Sequence, residues 1–466
     1  MTDESPPRYR FGPLERRGLI AGWRGGQIGV VAAAGLLVVA ILRRSPSMTG
    51  LVLAICTMAC AVGAATWPFG GRTAEEWAPD AVRHAHRAVE KRVRARRSPV
   101  ARLEVLTAAC DGDRSVAVIH DAATRTYAVV MPVRGDGFVL LGATDRADRV
   151  SAWSGVLASL WRQDHTAPRV QWVARCLPVG PGELAAHWPE GAGTRGRTPA
   201  QHSYDALVAD EAARLCRHEV LLVVTVGSPR RGAATRARRV GHVSGCTAVV
   251  REATWLRGQL ADAGLRPGPL LDPAELTDAV RAAFDLHPAV RTRNAAASPW
   301  PMAIEADWGR ARVDATWHTT YWVVEWPRRD VSADFLSPLL LGDIRRTVAL
   351  VMEPVGPLEA ARRVEQARTS EIADAELRRR GGFLESARRR RQEETLVRRE
   401  DELADGHAQY RFSAYVTVTG GDEAELDDAC ARTEQAAGLA GLELRRCYGD
   451  QAGAFTCTLP LGRGLS

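Results

Sequence analysis

Lysine is almost missing from this chain of 466 residues: Lys91 is the only one, and it sits between Glu90 and Arg92. A P-loop needs a lysine after Gly-x-x-x-x-Gly, because the ammonium must reach the terminal phosphates, so P-loop ATPase chemistry is excluded. No C-x-x-C pair occurs among the nine cysteines, which are scattered from Cys56 to Cys457. That is the usage of a reducing compartment rather than of a disulfide framework. The eleven histidines show no metal-ligand spacing apart from His84 and His86, and two residues at that separation cannot face one way on a helix. There is also no internal repeat of 20–50 residues.

The motifs that do occur fail in their context. Gly191-Ala192-Gly193-Thr194-Arg195-Gly196 matches G-x-G-x-x-G, yet His187-Trp188-Pro189-Glu190 precedes it and Arg197-Thr198-Pro199 follows. A dinucleotide site needs a strand before and a helix after, so this reads as a loop. His218-Glu219 begins like a zincin helix but lacks the second histidine, and Gly241–Gly245 has the wrong spacing for a nucleophile elbow. The sequence therefore offers no catalytic residue, no cofactor-binding residue and no metal ligand. It reads as non-enzymatic, with no cofactor.

What is present begins with two charge-free apolar runs, Gly25–Leu42 and Thr49–Thr66, joined by Arg43-Arg44-Ser45-Pro46-Ser47-Met48. Trp23 and Trp67 mark their outer ends, where interfacial aromatics collect. The expected fold is a two-helix transmembrane hairpin followed by α+β cytoplasmic domains with mixed or antiparallel sheets. Residues 1–97 carry 15 Lys+Arg against 7 Asp+Glu, while 98–466 carry 47 against 48. The excess positive charge thus surrounds the hairpin, and arginine asymmetry places both termini in the cytoplasm of an inner-membrane protein. A neutral remainder argues against direct nucleic-acid binding. Arg388–Arg391 is interleaved with Glu385, Glu393 and Glu394, the pattern of a solvated helix laced with ion pairs.

The expected organisation is a tail at 1–24, the hairpin at 25–69 and a basic helix at 70–97. An α+β domain follows at 98–333, then a second at 334–466 with a long charged helical region over 357–405. Strands are expected at 115–120, 126–133, 137–141, 170–176, 220–226, 347–352, 410–418, 442–447 and 455–459. Helices are expected at 145–162, 206–217, 236–263, 273–285 and 423–437. Trp308, Trp317, Trp322 and Trp326 fall in a β stretch over 301–326, where filling a sheet core is the expected use.

Two regions resemble known families. Phe11-Gly12-Pro13-Leu14, the hairpin, and Gly70-Gly71-Arg72-Thr73-Ala74-Glu75-Glu76-Trp77 resemble the PrgI family of small membrane proteins of conjugative, type IV-like secretion machines. From Asp334 onward, Phe335-Leu336-Ser337, the 347–352 and 410–418 strands and Leu459-Pro460-Leu461-Gly462 look like the pre-motor region of conjugative-transfer ATPases. The arrangement is similar to the long PrgI-like proteins of high-GC actinobacteria. These resemblances imply a structural adaptor that docks a separately encoded secretion ATPase and other apparatus subunits at the membrane, as a homo-oligomer. The alternative resemblance is to the EccE family of type VII secretion, which also places two N-terminal helices before a soluble domain. A membrane-tethered enzyme or a nucleic-acid adaptor stands as a further alternative.

Overall fold

The computed structural model describes residues 25–44, 46–66, 98–110, 114–135, 137–161, 168–179, 216–227, 235–284, 298–356 and 408–465, with isolated positions between them. The expected tail, the basic helix at 70–97, the Gly191–Gly196 loop, most of the 206–217 helix and the 357–405 helical region lie outside these residues, as do the Phe11–Leu14 and Gly70–Glu76 elements. Two compact units divide the chain.

One unit holds α1 (Gly25–Arg44) and α2 (Met48–Thr66), which pack side by side. Ala34, Gly50 and Ala54 are buried, so small residues bring the backbones together. Spanning a bilayer takes about 20 predominantly apolar residues. Of the 20 residues of α1, the first two are glycines and the last two are Arg43 and Arg44. Among the described residues no helix is long and apolar enough to cross a membrane. The expectation of a two-span inner-membrane protein is corrected on that finding: a helical hairpin is present, without the length and apolarity of a spanning pair.

The other unit is an α+β body built on a sheet of twelve strands. In chain order these are β1 (Leu103–Ala109), β2 (Ser115–Asp121), β3 (Thr126–Arg134), β4 (Arg169–Pro178), β5 (Cys216–Gly227), β6 (Arg266–Pro267), β7 (Ile304–Ala306), β8 (Ala311–Val313), β9 (Thr316–Glu325), β10 (Arg346–Pro354), β11 (Tyr410–Gly420) and β12 (Glu443–Arg446). The helices are α3 (Ala143–Trp161), α4 (Thr235–Asp262), α5 (Pro273–Arg281), α6 (Ser337–Leu340), α7 (Glu423–Leu439) and α8 (Gln451–Thr456). The spatial order is β1-β2-β3-β5-β4-β10-β11-β9-β8-β7, with β6 on β3 and β12 on β9. Every pairing of these strands is antiparallel.

Read outward from β4 and β10, that order is the same in both directions. Each half is a three-strand meander, two strands on its inner side, a helix, a short strand returning to the third meander strand, and a short helix. The registers agree. Arg169 opens β4 and faces Thr225, two residues before β5 ends at Gly227; Arg346 opens β10 and faces Val418, two residues before β11 ends at Gly420. At the join, Val170 faces Met352 and Thr347 faces Arg175, one pairing seen from either half. An approximate dyad therefore passes between the Trp172–Leu350 and Val173–Ala349 pairs.

Both long helices also end on one tripeptide, Ala263-Gly264-Leu265 and Ala440-Gly441-Leu442. Gly264 and Gly441 have φ of 76° and 73°, left-handed values that a side chain would oppose. Their amides bond Ala261 O and Gly438 O, and the leucine amides bond Leu260 O and Ala437 O. The motif recurs because the turn back to the sheet recurs.

Three apolar clusters fill the body. Val129, Leu222 and Val224 meet Val156 and Leu160 of α3 and Val249, Leu256 and Leu260 of α4. Ile119, Val130 and Val223 meet Leu276 and Val280 of α5, with Phe455, Leu459 and Leu461 from the C-terminal segment. Tyr321, Val416 and Val418 meet Leu426 and Cys430 of α7, with Trp317 and Trp326 packed against them, so these two tryptophans fill sheet core as expected.

Three expectations are corrected here. A domain boundary at 334 does not hold, because β10 inserts between β4 and β11 and makes one sheet of both sides. Residues 137–141 form no strand: Gly137, at φ 64°, turns the chain into a 3-10 turn over Phe138–Leu140. Residues 455–459 form no strand either, because α8 runs to Thr456 and the chain then turns over β4.

Candidate functional site

The outer margin of the first half carries the site. β1 pairs with β2 on one side and, among the described residues, with no strand on the other. A row of main-chain donors and acceptors along an edge strand is a template for another strand. β1 has a single charge, Glu104, and no proline. Beside it α4 forms the opposite wall of an open groove of about 980 Å³, lined by Leu106, Cys110, His242, Cys246, Val250 and Trp255 among others. Its lining is mostly apolar, and Arg251 at the rim pairs with Glu252 at 3.1 Å.

At one end of the groove, side chains from β1, β2, β3 and α4 converge. His120 stacks on Tyr127 at 4.8 Å between ring centroids and meets His242 edge-on at 4.6 Å. Tyr127 Oη and His242 Nδ1 are hydrogen-bonded at 3.0 Å. Glu104 Oε2 lies 3.7 Å from His120 Nδ1, too far for a hydrogen bond, so that buried nitrogen has no hydrogen-bond partner. Burial, then the neighbouring His242, pushes His120 below the ordinary imidazole value against the pull of Glu104. Burial likewise raises the Tyr127 phenol and the Cys246 thiol. The packing is close: a Cβ on Gly245 would fall 2.3 Å from the Tyr127 ring.

A thiol raised by burial is a poor nucleophile, and the His120–Tyr127–His242 group supplies hydrogen-bonding atoms and flat ring area. Among the described residues no group of three His, Cys, Asp or Glu could hold a metal ion. His218 and Glu219 lie in β5 and Gly241–Gly245 within α4. Sequence reasoning missed the groove because it missed β1: Leu-Glu-Val-Leu-Thr-Ala-Ala alternates weakly and ends on two alanines.

Comparison with known proteins gives one family over this region. Residues 215–323 match the model of EccE, described as the candidate translocon of the type VII ESX secretion system. The match runs from β5 through α4, β6, α5, β7 and β8 into β9, and so includes the α4 wall of the groove. No curated protein matches the chain.

Proposed function

We propose that this protein is a non-enzymatic component of a type VII, EccE-like secretion apparatus, and that it works by docking other subunits. The EccE match over residues 215–323 carries this reading. It favours type VII over the conjugative, type IV-like role implied by the PrgI resemblance, whose sequence elements flank the hairpin outside the matched region. The mostly apolar groove beside β1, whose outer edge has no partner strand among the described residues, supports a reading of binding. A secretion ATPase is among the partners proposed, and self-association of the chain is proposed with it.

Affinity purification of the tagged full chain from cells that carry its gene tests this reading. Type VII subunits should co-purify in stoichiometric amount. Recovery of a conjugative motor instead would restore the type IV reading, and recovery of no secretion subunit would end both.

A further inference from the structure

The dyad relates two arginines, the half-buried Arg169 and the buried Arg346, that have met different fates. Arg169 Nη2 lies 3.3 Å from Glu353 Oε1, and Glu353 also accepts from Arg411, its cross-strand neighbour. The counterpart of Glu353 is Cys176, whose cross-strand neighbour is His218, and the counterpart of Arg169 is Arg346. Where one guanidinium meets a carboxylate, the other meets a thiol.

Arg346 is 3% exposed, and its Nε has no hydrogen-bond partner. Its Nη2 reaches Pro338 O at 3.3 Å, while the nearby Asp343 is engaged by Arg432 at 2.6 Å. A buried cation so poorly compensated favours a negative charge beside it. A second thiol is at hand. Cys216 opens β5 opposite Pro178, so it is the diagonal neighbour of Cys176 on the same sheet face. The two sulfurs donate to consecutive carbonyls, Cys176 to Gly342 O and Cys216 to Asp343 O, each at 3.4 Å.

We propose that Cys176 and Cys216 form a redox-active dithiol that closes to an intrachain disulfide by exchange with a low-molecular-weight disulfide, and that Arg346 stabilises the thiolate formed on the way. Cys216, the more accessible thiol, loses its proton to water and attacks one sulfur of the reagent, expelling a small thiolate. Cys176 then gives up its proton, displaces the second small thiolate, and the S–S bond forms. Two protein thiols are oxidised, one reagent disulfide is reduced to two thiols, and the two protons end on them. Burial pushes the Cys176 thiol up to about 12, which makes it the second to react. Diagonal neighbours stand roughly 7–8 Å apart at Cα and a disulfide takes up to about 6.8 Å, so closure needs a small approach. It is cheapest at Cys216, a strand end.

The reduced full chain, equilibrated in mixtures of reduced and oxidised glutathione, alkylated and digested with trypsin, tests this directly. The expected product is peptide 176–195 joined to peptide 215–217, lost again with dithiothreitol and absent from Cys216→Ser. Arg346→Gln should slow closure roughly tenfold, the factor of one pKa unit, while Arg346→Lys keeps the rate within a few fold. The proposal is overturned if both thiols remain alkylatable at equilibrium, or if Cys216 stops at the mixed disulfide with glutathione. Equal closure rates in wild type and Arg346→Gln would remove the part assigned to Arg346.

Discussion

Along β3 of the first half, Tyr127 faces Val226; at the matching place in the second half, His318 faces Thr419. Tyr127 sits in an apolar cluster and sends its hydroxyl to His242 at the groove. His318 is fully buried between Thr316 and Thr419, bonded to them at 2.6 and 3.0 Å. Around it Thr320, Thr417 and Thr458 form a second hydroxyl chain with 2.8 Å links. The margins differ too: β1 runs seven residues beside an open groove, whereas β7 has three. One topology thus accepts either an apolar interior or a threonine-rich one in which His318 and its neighbouring hydroxyls partner one another. The half that keeps the longer edge is the one that carries the groove.

The largest effect expected on this comparison is at Gln171, whose counterpart across the dyad is Val348. Gln171 Nε2 donates to Cys457 O and Leu459 O, and its Oε1 accepts from the Leu461 and Gly462 amides. Gln171→Leu removes these four hydrogen bonds, leaving the Leu461 amide its bond to Leu459 O, and should cost about 4 kcal/mol in urea unfolding. Val348→Ala should cost about 2 kcal/mol, the transfer and cavity terms of two methyl groups. Equal losses would mean that the C-terminal segment contributes nothing to the difference between the halves.

Arg463→Ala comes next. Its guanidinium bonds Asp121 Oδ2 at 2.7 and 2.9 Å and Pro99 O at 3.0 Å, and Asp121 is 3% exposed. Burial raises the Asp121 carboxyl, but Arg463 and the Ala123 and Thr124 amides together hold it below its usual value. Removing one partner of such a pair should cost about 3 kcal/mol in the same measurement.

His318 supplies a pH test. Burial, aided by Arg345, holds the folded imidazole at about 3, below its unfolded value of about 6.5. The unfolded chain therefore takes the proton first. Stability should be full above about pH 6.5 and fall as pH drops toward 3, by up to about 1.4 kcal/mol per pH unit. Unfolding free energies at pH 7.5 and 5.0 check this, and His318→Gln should remove most of the fall.

The smallest effect sharpens the comparison most. Cys176→Glu places a carboxylate against Arg346 as Glu353 stands against Arg169. A double-mutant cycle of Cys176→Glu with Arg346→Gln should give a favourable coupling of about 1–2 kcal/mol. A coupling near zero would show that the two ends of the dyad are alike in register only.

Much of the body was legible in the residues. The apolar runs at 220–226 and 347–352 and the alternation at 410–418 mark strands that do lie inside the sheet, because burial on both faces or one leaves a direct trace. The helices expected at 236–263 and 423–437 are α4 and α7 within a few residues. The 455–459 stretch misled because its Phe, Leu and Thr serve a turn whose carbonyls are satisfied by Gln171, a distant side chain. The doubling of the fold was illegible for a related reason. Only Ala-Gly-Leu recurs at its boundary, where a left-handed φ demands glycine, while the interiors diverged from apolar to threonine-rich. The candidate groove needs β1 and α4 together, and no local pattern ties the two.

The reach of residues 457–463 has a consequence for how the protein is made. Gln171, Asp121 and the apolar face around Ile119 and Val130 belong to the first half, yet their partners lie some 290–340 residues further on. Until residues 457–463 have been made and have left the ribosome, the first half has all its strands and an open seam. The dyad gives it a neighbour in β10, but closure waits for that distant segment. A nascent chain stalled before residue 457 should be the form that chaperones and proteases recognise.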